Sequence, residues 1–297
     1  MKDVDFNKWS NGIVYEIAFW NNVYRWSHTF NGMMEWSNHG GVINLEQYDA
    51  NAYLSCLSNP LVLDVGCGMS YATGNYIECS GRLQGLNIHY IDPLAFQFNK
   101  ILHSYHKQLP EIEFGMIEYL SAFYPNHDVD MVIVQNALDH SANPIKGIYE
   151  ALDTLRINGI LYLNHHPNEA ETEHYKGFHQ YNICKEANDL IIWNKSERWN
   201  INQILSSIAE VKVCHGDNGH VIAIIKKAKE VPANLLCDKN DKKALCHHLM
   251  SYLLEHQGLS RTICNILSYW KYNTIQFFAQ ALTYDQKMKV KKLIKHA

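Results

Sequence analysis

Apolar runs and polar stretches alternate through the middle of the chain in a way that predicts a parallel sheet. Between residues 58 and 228, short runs rich in Val, Ile and Leu alternate with segments whose apolar residues recur every three or four positions. Such a pattern is typical of buried strands that helices cover on both faces. The predicted strands are 61–65, 86–91, 112–114, 130–134 and 159–163, followed by a closing pair at 211–214 and 220–225.

The regions on either side of this alternation differ from it and divide the chain into three parts. Residues 1–57 are rich in aromatic side chains at helical spacing and predict a helical cap, some of whose rings could instead line a ligand cleft. Residues 229–297 predict a helical extension, with helices at 244–256 and 263–282 and a lysine-rich tail. Within the central region, the long polar stretch 164–199 predicts a lid, with a hairpin about residues 187–189.

Net charge, the length of the apolar runs and the cysteine spacing exclude several classes of function. The 297 residues carry a formal net charge of -4, which gives no basic surface for nucleic acid. No apolar run approaches the roughly 18–20 residues of a membrane span, and the N-terminus lacks a secretory pattern, so we expect a cytoplasmic protein. The eight cysteines include no pair at the spacing of zinc ribbons or redox motifs.

The main chemical signal is a glycine turn after the first predicted strand. Gly66-Cys67-Gly68 follows the run 61–65, and a helix is expected after it. Glycines at such a turn let a ligand approach the backbone closely, and a helix that begins there offers free N–H groups. Asp92 ends the second strand, where nucleotide-binding α/β folds place the carboxylate that holds a ribose. The third glycine of the dinucleotide pattern is missing, which argues against NAD and FAD.

With these features the chain resembles the class I S-adenosylmethionine-dependent methyltransferases over about residues 58–228. The resemblance implies a Rossmann-like α/β fold, with a seven-stranded, mostly parallel sheet, helices on both faces, the N-terminal cap and the C-terminal extension. It also implies S-adenosylmethionine as cofactor, Gly66 and Gly68 beside its methionine part, and Asp92 on its ribose. Many members have Asp where this chain has Met116, so backbone groups and Glu118 would replace that contact to adenine. The full set implied for the cofactor is Asp64, Gly66, Cys67, Gly68, Asp92, Pro93, Met116, Ile117, Glu118, Gln135 and Asn136.

Three further segments resemble a narrower group. Residues 136–140, 164–169 and 175–180 are similar to motifs of bacterial methyltransferases encoded with surface-polysaccharide genes. This resemblance implies a sugar or a nucleotide-sugar as the methyl acceptor.

Histidines near the predicted strand ends are the candidates for a catalytic base. A hydroxyl acceptor loses a proton during methyl transfer, and histidine titrates near neutral pH. His140 follows the fourth strand, His165 and His166 follow the fifth, and His179 lies in the predicted lid. Each could instead be a structural residue. Asp139 could orient a histidine or bind a divalent metal with His165 or His166. The metal is an open alternative that the sequence does not favour, and no metal ligand is predicted.

The sequence therefore predicts a methyltransferase that acts on a small polar molecule, most simply by O-methylation of a sugar or nucleotide-sugar. One alternative is N-methylation of a small amine, which needs less help from a base. Another is a catalytically silent cofactor-binding subunit that acts through a partner. The sequence does not determine the oligomeric state, and a homo-oligomer is one of the states that it leaves open.

Overall fold

The computed structural model describes residues 6–236, 263–282 and 286. The strands are β1 Leu61–Val65, β2 Tyr76–Cys79, β3 Arg82–Gly85, β4 Asn87–Asp92, β5 Glu113–Phe114, β6 Val129–Gln135, β7 Leu155–His165, β8 Asn182–Glu186, β9 Asp189–Trp193, β10 Arg198–Asn200, β11 Ala209–His215 and β12 Val221–Lys227. The helices are α1 Phe6–Arg25, α2 Ser27–Trp36, α3 Ala50–Ser55, α4 Ala95–Ser104, α5 Leu120–Phe123, α6 Pro144–Thr154, α7 Glu169–Thr172, α8 Ile201–Leu205 and α9 Ile263–Ala281.

A seven-stranded sheet forms the centre of the molecule. Its strand order is β11-β12-β7-β6-β1-β4-β5. The strands from β7 to β5 in this order are parallel to one another, whereas β12 is antiparallel to both β7 and β11. The predicted class, a Rossmann-like, mostly parallel sheet with helices on both faces and at both ends of the chain, is confirmed.

Both faces of this sheet are buried. Along β6, Met131 and Val132 point to opposite faces and belong to different apolar clusters, and each is fully buried. Helix α6 contributes Ile148 to the Val132 face, and α3 contributes Leu54 to the Met131 face. This two-sided burial explains why the strands are apolar along their whole length.

The connection from β1 to β4 differs from the expectation of a helix after the glycine turn. Residues 69–75 form turns, and the β2–β3 hairpin follows. Tyr71 and Gly74 have φ values of 49° and 89°, in the left-handed region that a right-handed helix excludes. Tyr71 is buried, and its hydroxyl donates to the carbonyl oxygen of Pro110 at 2.6 Å. The predicted helix is therefore wrong, and with it the expected free N–H groups of a helix N-terminus.

The stretch predicted as a lid is largely folded into the core. Strands β8, β9 and β10 form a small antiparallel sheet, and the predicted hairpin turns at Ala187 with φ 51°. Tyr181, Ile183 and Ile192 are buried in the same apolar cluster as α6. Only the polar first half of the stretch, before β8, remains beside the strand ends.

Helices α1 and α9 pack against each other although they lie far apart in sequence. Asn22 donates from Nδ2 to Oδ1 of Asn273 at 3.0 Å, and the rings of Trp26 and Phe277 lie 5.0 Å apart. The second helix predicted in the extension, 263–282, is confirmed. The predicted helix 244–256 and the lysine-rich tail lie outside the described residues. Among the helices that are described, none has the length and apolar character of a membrane span.

Candidate functional site

A cavity of about 530 Å³ lies where the parallel strands end. Its volume is that of a pocket for a small molecule or cofactor. Most of the residues predicted for a site line it: Gly66, Cys67, Gly68, Asp92, Pro93, Met116, Ile117, Glu118, Gln135, Asn136, His140, His166 and His179. Asp64, Asp139 and His165 are not among the lining residues.

The glycine turn forms one wall of this cavity. Gly66 and Gly68 have φ values of 69° and 53°, which favour glycine. The backbone N–H of Gly66 donates to the carbonyl oxygen of Ile91 at 2.8 Å, so the turn is fixed to the neighbouring strand. A Cβ atom at Gly66 would lie 2.5 Å from Cβ of Ala137. The turn is thus held closely between its neighbours while its backbone faces the cavity.

Asp92 links the glycine turn to the end of β4. Its Oδ2 accepts from the backbone N–H of Gly68 at 3.1 Å, and its Oδ1 accepts from that of Leu94 at 2.7 Å. Burial raises the pKa of Asp92 to about 6, although these two bonds oppose the shift. A carboxylate can accept further hydrogen bonds beyond these two. Asp92 therefore has the position and the capacity to accept from a diol in the cavity.

Asp64 lies behind the cavity wall rather than on it. The hydroxyl of Thr73 donates to Asp64 Oδ2 at 2.6 Å, and Gln135 Nε2 donates to the same hydroxyl oxygen at 3.2 Å. Burial raises the pKa of Asp64 to about 6. Asp64, predicted to contact the cofactor, does not line the cavity; it holds Thr73, which in turn holds the cavity residue Gln135.

The segment predicted near adenine does line the cavity, and one of its side chains is already engaged. Met116 and Ile117 are buried apolar residues of the wall. Glu118 Oε1 accepts from the backbone N–H groups of Ala142 and Asn143, at 2.6 and 3.2 Å. These bonds fix the start of α6 to the cavity wall.

Asp139, His140 and His179 converge beside the cavity, and the two histidines line it. His179 Nδ1 lies 3.0 Å from Asp139 Oδ2 and 3.1 Å from His140 Nε2, and the distance from His140 Nε2 to Asp139 Oδ2 is 3.5 Å. Burial disfavours ionisation of Asp139, yet His140 and the hydrogen bond with His179 lower its pKa to about 2. Burial lowers the pKa of His140. For His179 the bond and charge of Asp139 outweigh burial and raise the pKa.

His165 forms no hydrogen bond with this cluster, although it lies within electrostatic range of Asp139 and His140. His165 is buried, and neither of its ring nitrogens has a hydrogen-bond partner among the described residues. Burial lowers its pKa to about 4. His166 lines the cavity and packs edge-on against His220, with ring centroids 4.2 Å apart. The predicted partnership of Asp139 with His165 or His166 is therefore replaced by one with His140 and His179.

Several lining residues escaped the sequence analysis. Helix α1 contributes Tyr15, Glu16, Phe19 and Trp20, whose spacing of one and four residues places them on one helix face. His220 immediately precedes β12, which is antiparallel and so starts at the edge where the parallel strands end. The sequence signal for the α1 residues was the aromatic pattern of residues 1–57. The signal for His220 was the predicted closing pair of strands.

The wall of the cavity is rich in carboxyl groups. Burial and nearby carboxylates raise the pKa values of Glu16 and Glu169 to about 7, with His179 opposing the shift in both. The carboxyl groups on its wall are those of Glu16, Asp92, Glu118, Glu169 and Glu173. No Lys or Arg occurs among the described residues that line it. The cavity therefore favours neutral and cationic ligands over anionic ones.

Comparison with known proteins gives remote structural matches. No family model matches the chain, and no curated protein sequence matches it. A 16S rRNA methyltransferase from T. thermophilus, solved with AdoMet and guanosine, aligns at 14% identity over 63% of this chain and 40% of its own, with a TM-score of 0.34. An S-adenosylmethionine-dependent methyltransferase from Clostridium acetobutylicum aligns at 11% identity over 76% and 93%, with a TM-score of 0.37.

A third match is a complex between the Haloferax volcanii Trm112 methyltransferase activator and a methyltransferase. It aligns at 14% identity over 71% of this chain and 98% of that one, with a TM-score of 0.38. Each of the three matches is a methyltransferase or a complex containing one. The assignment of the fold rests on the strand order of the chain itself.

Proposed function

We propose that this protein is an S-adenosylmethionine-dependent methyltransferase that acts on a small polar acceptor. The observation that supports it is that one cavity is lined both by the Gly66–Gly68 turn and Asp92 and by His140 and His179. The turn fits a cofactor, because its left-handed glycines leave backbone without side chains on the wall. In open α/β sheets ligands lie beyond the carboxyl ends of the strands, which is where this cavity lies.

The cofactor, when bound, supplies a methyl group attached to a sulfonium sulfur. As the acceptor bonds to the methyl carbon, the S–C bond breaks and its electron pair stays on sulfur. This chain would hold the ribose through Asp92 and surround the adenine with Met116 and Ile117. Its remaining task is to align the acceptor and take up the acceptor's proton. His140 and His179 line the cavity, so we assign the acceptor to the part of the cavity beside them, the acceptor end.

The chemistry of the cavity refines the acceptor. A nucleotide-sugar carries a diphosphate, and the described wall offers carboxylates and no Lys or Arg to bind it. A sugar hydroxyl without a nucleotide fits better, because carboxylate, amide and imidazole groups all pair with hydroxyls. We therefore propose O-methylation of a neutral sugar, in keeping with the polysaccharide-type motifs at 136–140, 164–169 and 175–180.

The same acidic wall favours a second candidate, N-methylation of a small amine. Glu16, Glu169 and Glu173 would attract a protonated amine into the cavity. The two candidates differ in their need for a base, since an amine gives up its proton more readily than a sugar hydroxyl does. Substitution of His179 by Ala should abolish turnover of a sugar and leave much of the turnover of an amine.

Isothermal titration with S-adenosylmethionine and S-adenosylhomocysteine tests the proposal directly, with NAD as the control ligand. We expect selective binding of the first two. Asp92→Ala should weaken it strongly, and His179→Ala should leave it nearly unchanged, because His179 lies at the acceptor end. Absence of binding to the wild-type chain at millimolar ligand, or equal binding of NAD, would contradict the assignment of the cofactor.

A further inference from the structure

We propose that Asp139, His140 and His179 bind one divalent cation of the zinc, cobalt and manganese class at the acceptor end of the cavity. The site is argued from the three side chains themselves. Its role rests on the proposed function: a cation there would bind the acceptor hydroxyl and lower its pKa. His140 and His179 would then serve as ligands, and the hydroxyl proton would pass to Glu169, a carboxylate on the cavity wall.

The three ligand atoms have the spacing of neighbouring metal ligands. With metal–ligand bonds of about 2.1 Å, adjacent ligands lie about 3.0 Å apart in an octahedron and about 3.4 Å apart in a tetrahedron. The observed separations among Asp139 Oδ2, His140 Nε2 and His179 Nδ1 are 3.0, 3.1 and 3.5 Å. Two imidazoles and a carboxylate form a common ligand set of catalytic transition-metal sites.

Hydrogen bonding alone does not satisfy this arrangement. His179 Nδ1 can carry one proton, and it faces both Asp139 Oδ2 and His140 Nε2. If that proton is donated to the carboxylate, Nδ1 cannot accept from His140; if Nδ1 accepts from His140, it faces the carboxylate as a second acceptor. A cation accepts all three lone pairs at once.

The buried carboxylate supplies a second, independent observation. Asp139 is 2% exposed, and its Oδ1 has no hydrogen-bond partner among the described residues. A buried carboxyl group with an unsatisfied oxygen is unfavourable unless a charge nearby compensates it. A cation at the cluster would compensate the charge of this carboxylate while both imidazoles stay neutral, in a cavity whose described wall has no Lys or Arg.

The position of the cluster also leaves room for a substrate. His140 and His179 line the cavity, whereas Asp139 lies behind them. The remaining coordination positions would therefore face the cavity, as they do in catalytic metal sites that keep open positions for water or substrate.

A second group in the described part of the chain has suitable ligand types and serves as a control. His127, Asp153 and Glu230 also lie near one another. There, however, the ammonium of Lys227 already lies 2.8 Å from Glu230 Oε2 and compensates its charge. We assign no cation to that group.

The experiment is a titration of the full chain, first freed of metal by chelation, with Co²⁺ followed by calorimetry and visible absorption. We expect one Co²⁺ per chain, displaced by Zn²⁺, and no comparable binding of Mg²⁺, which prefers oxygen ligands. His179→Ala and Asp139→Asn should each lower the Co²⁺ affinity by at least the roughly 10–100-fold that loss of an outer-shell partner costs. His127→Ala should leave it unchanged within about twofold.

Three results would overturn the inference: no stoichiometric Co²⁺ binding, binding that survives His179→Ala, or binding that is lost in His127→Ala. A cooperative urea denaturation curve reports whether each variant is folded, and His140→Gln replaces Asp139→Asn if the latter does not fold. The same measurement separates the two proposals. A wild-type chain that binds Co²⁺ through this cluster but no S-adenosylhomocysteine would refute the methyltransferase proposal and leave the cation site standing.

Discussion

Replacement of Gly66 by Ala tests how closely the glycine turn is packed. A Cβ at this position lies 2.5 Å from Cβ of Ala137, and the residue has φ 69°. The left-handed backbone costs a non-glycine residue about 1–2 kcal/mol. The steric contact adds about 1–3 kcal/mol, as overpacking commonly does. We expect Gly66→Ala to lower the free energy of unfolding by about 2–5 kcal/mol, measured by urea denaturation.

The structure supplies a matched control for the backbone part of this cost. Gly81 has φ 73°, and a Cβ there meets no atom within 4 Å. Gly81→Ala should therefore cost only about 1–2 kcal/mol. The double variant Gly66→Ala/Ala137→Gly removes the contacting methyl group and should recover part of the loss, with a coupling energy of about 1–3 kcal/mol. Equal losses for Gly66→Ala and Gly81→Ala, or no coupling with Ala137→Gly, would refute the steric argument.

Two further measurements address the residues around the turn. The buried hydroxyl of Tyr24 donates to the carbonyl oxygen of Met69 at 2.8 Å. Tyr24→Phe should lower the free energy of unfolding, measured by urea denaturation, by about 1–3 kcal/mol, because that carbonyl loses its partner. An unchanged denaturation midpoint would show that the bond does not contribute. The raised pKa of Asp92, about 6 against 3.8, means that its ionisation opposes folding: this cost is absent below about pH 4 and complete above about pH 6. The stability of the cofactor-free chain should therefore fall over this range by about 3 kcal/mol more than that of Asp92→Asn, and parallel pH profiles would contradict the assignment.

The strands of the central sheet could be predicted because burial on both faces requires apolar residues at nearly every position of a strand. Residues 130–134 are apolar without a break after the first, since both faces of β6 are covered. The absence of a helix after the glycine turn could not be predicted in the same way. It depends on the left-handed conformation of Tyr71, which its burial and its bond to Pro110 hold in place.

The residues of the candidate site also differ in whether the sequence alone could place them. Gly66 and Gly68 follow β1 and Asp92 ends β4, so topology alone brings them to one edge of the sheet. His179 reaches Asp139 only because the neighbouring small sheet of β8–β10 packs into the core, and that packing depends on contacts distant in sequence. The sequence therefore identifies the four histidines as candidates but does not show which of them contact Asp139 or one another.

The packing of α1 has a consequence for the order in which the site is assembled during synthesis. Glu16 and Trp20 form part of the cavity wall, yet α1 packs on α9 through Asn22 and Asn273, which are 251 positions apart. The ribosome makes this wall first and its support much later, after the whole sheet has emerged. A nascent chain that already has its glycine turn thus still lacks α9 behind α1. We therefore expect a ligand in the cavity to reach its full affinity only after α9 has been translated.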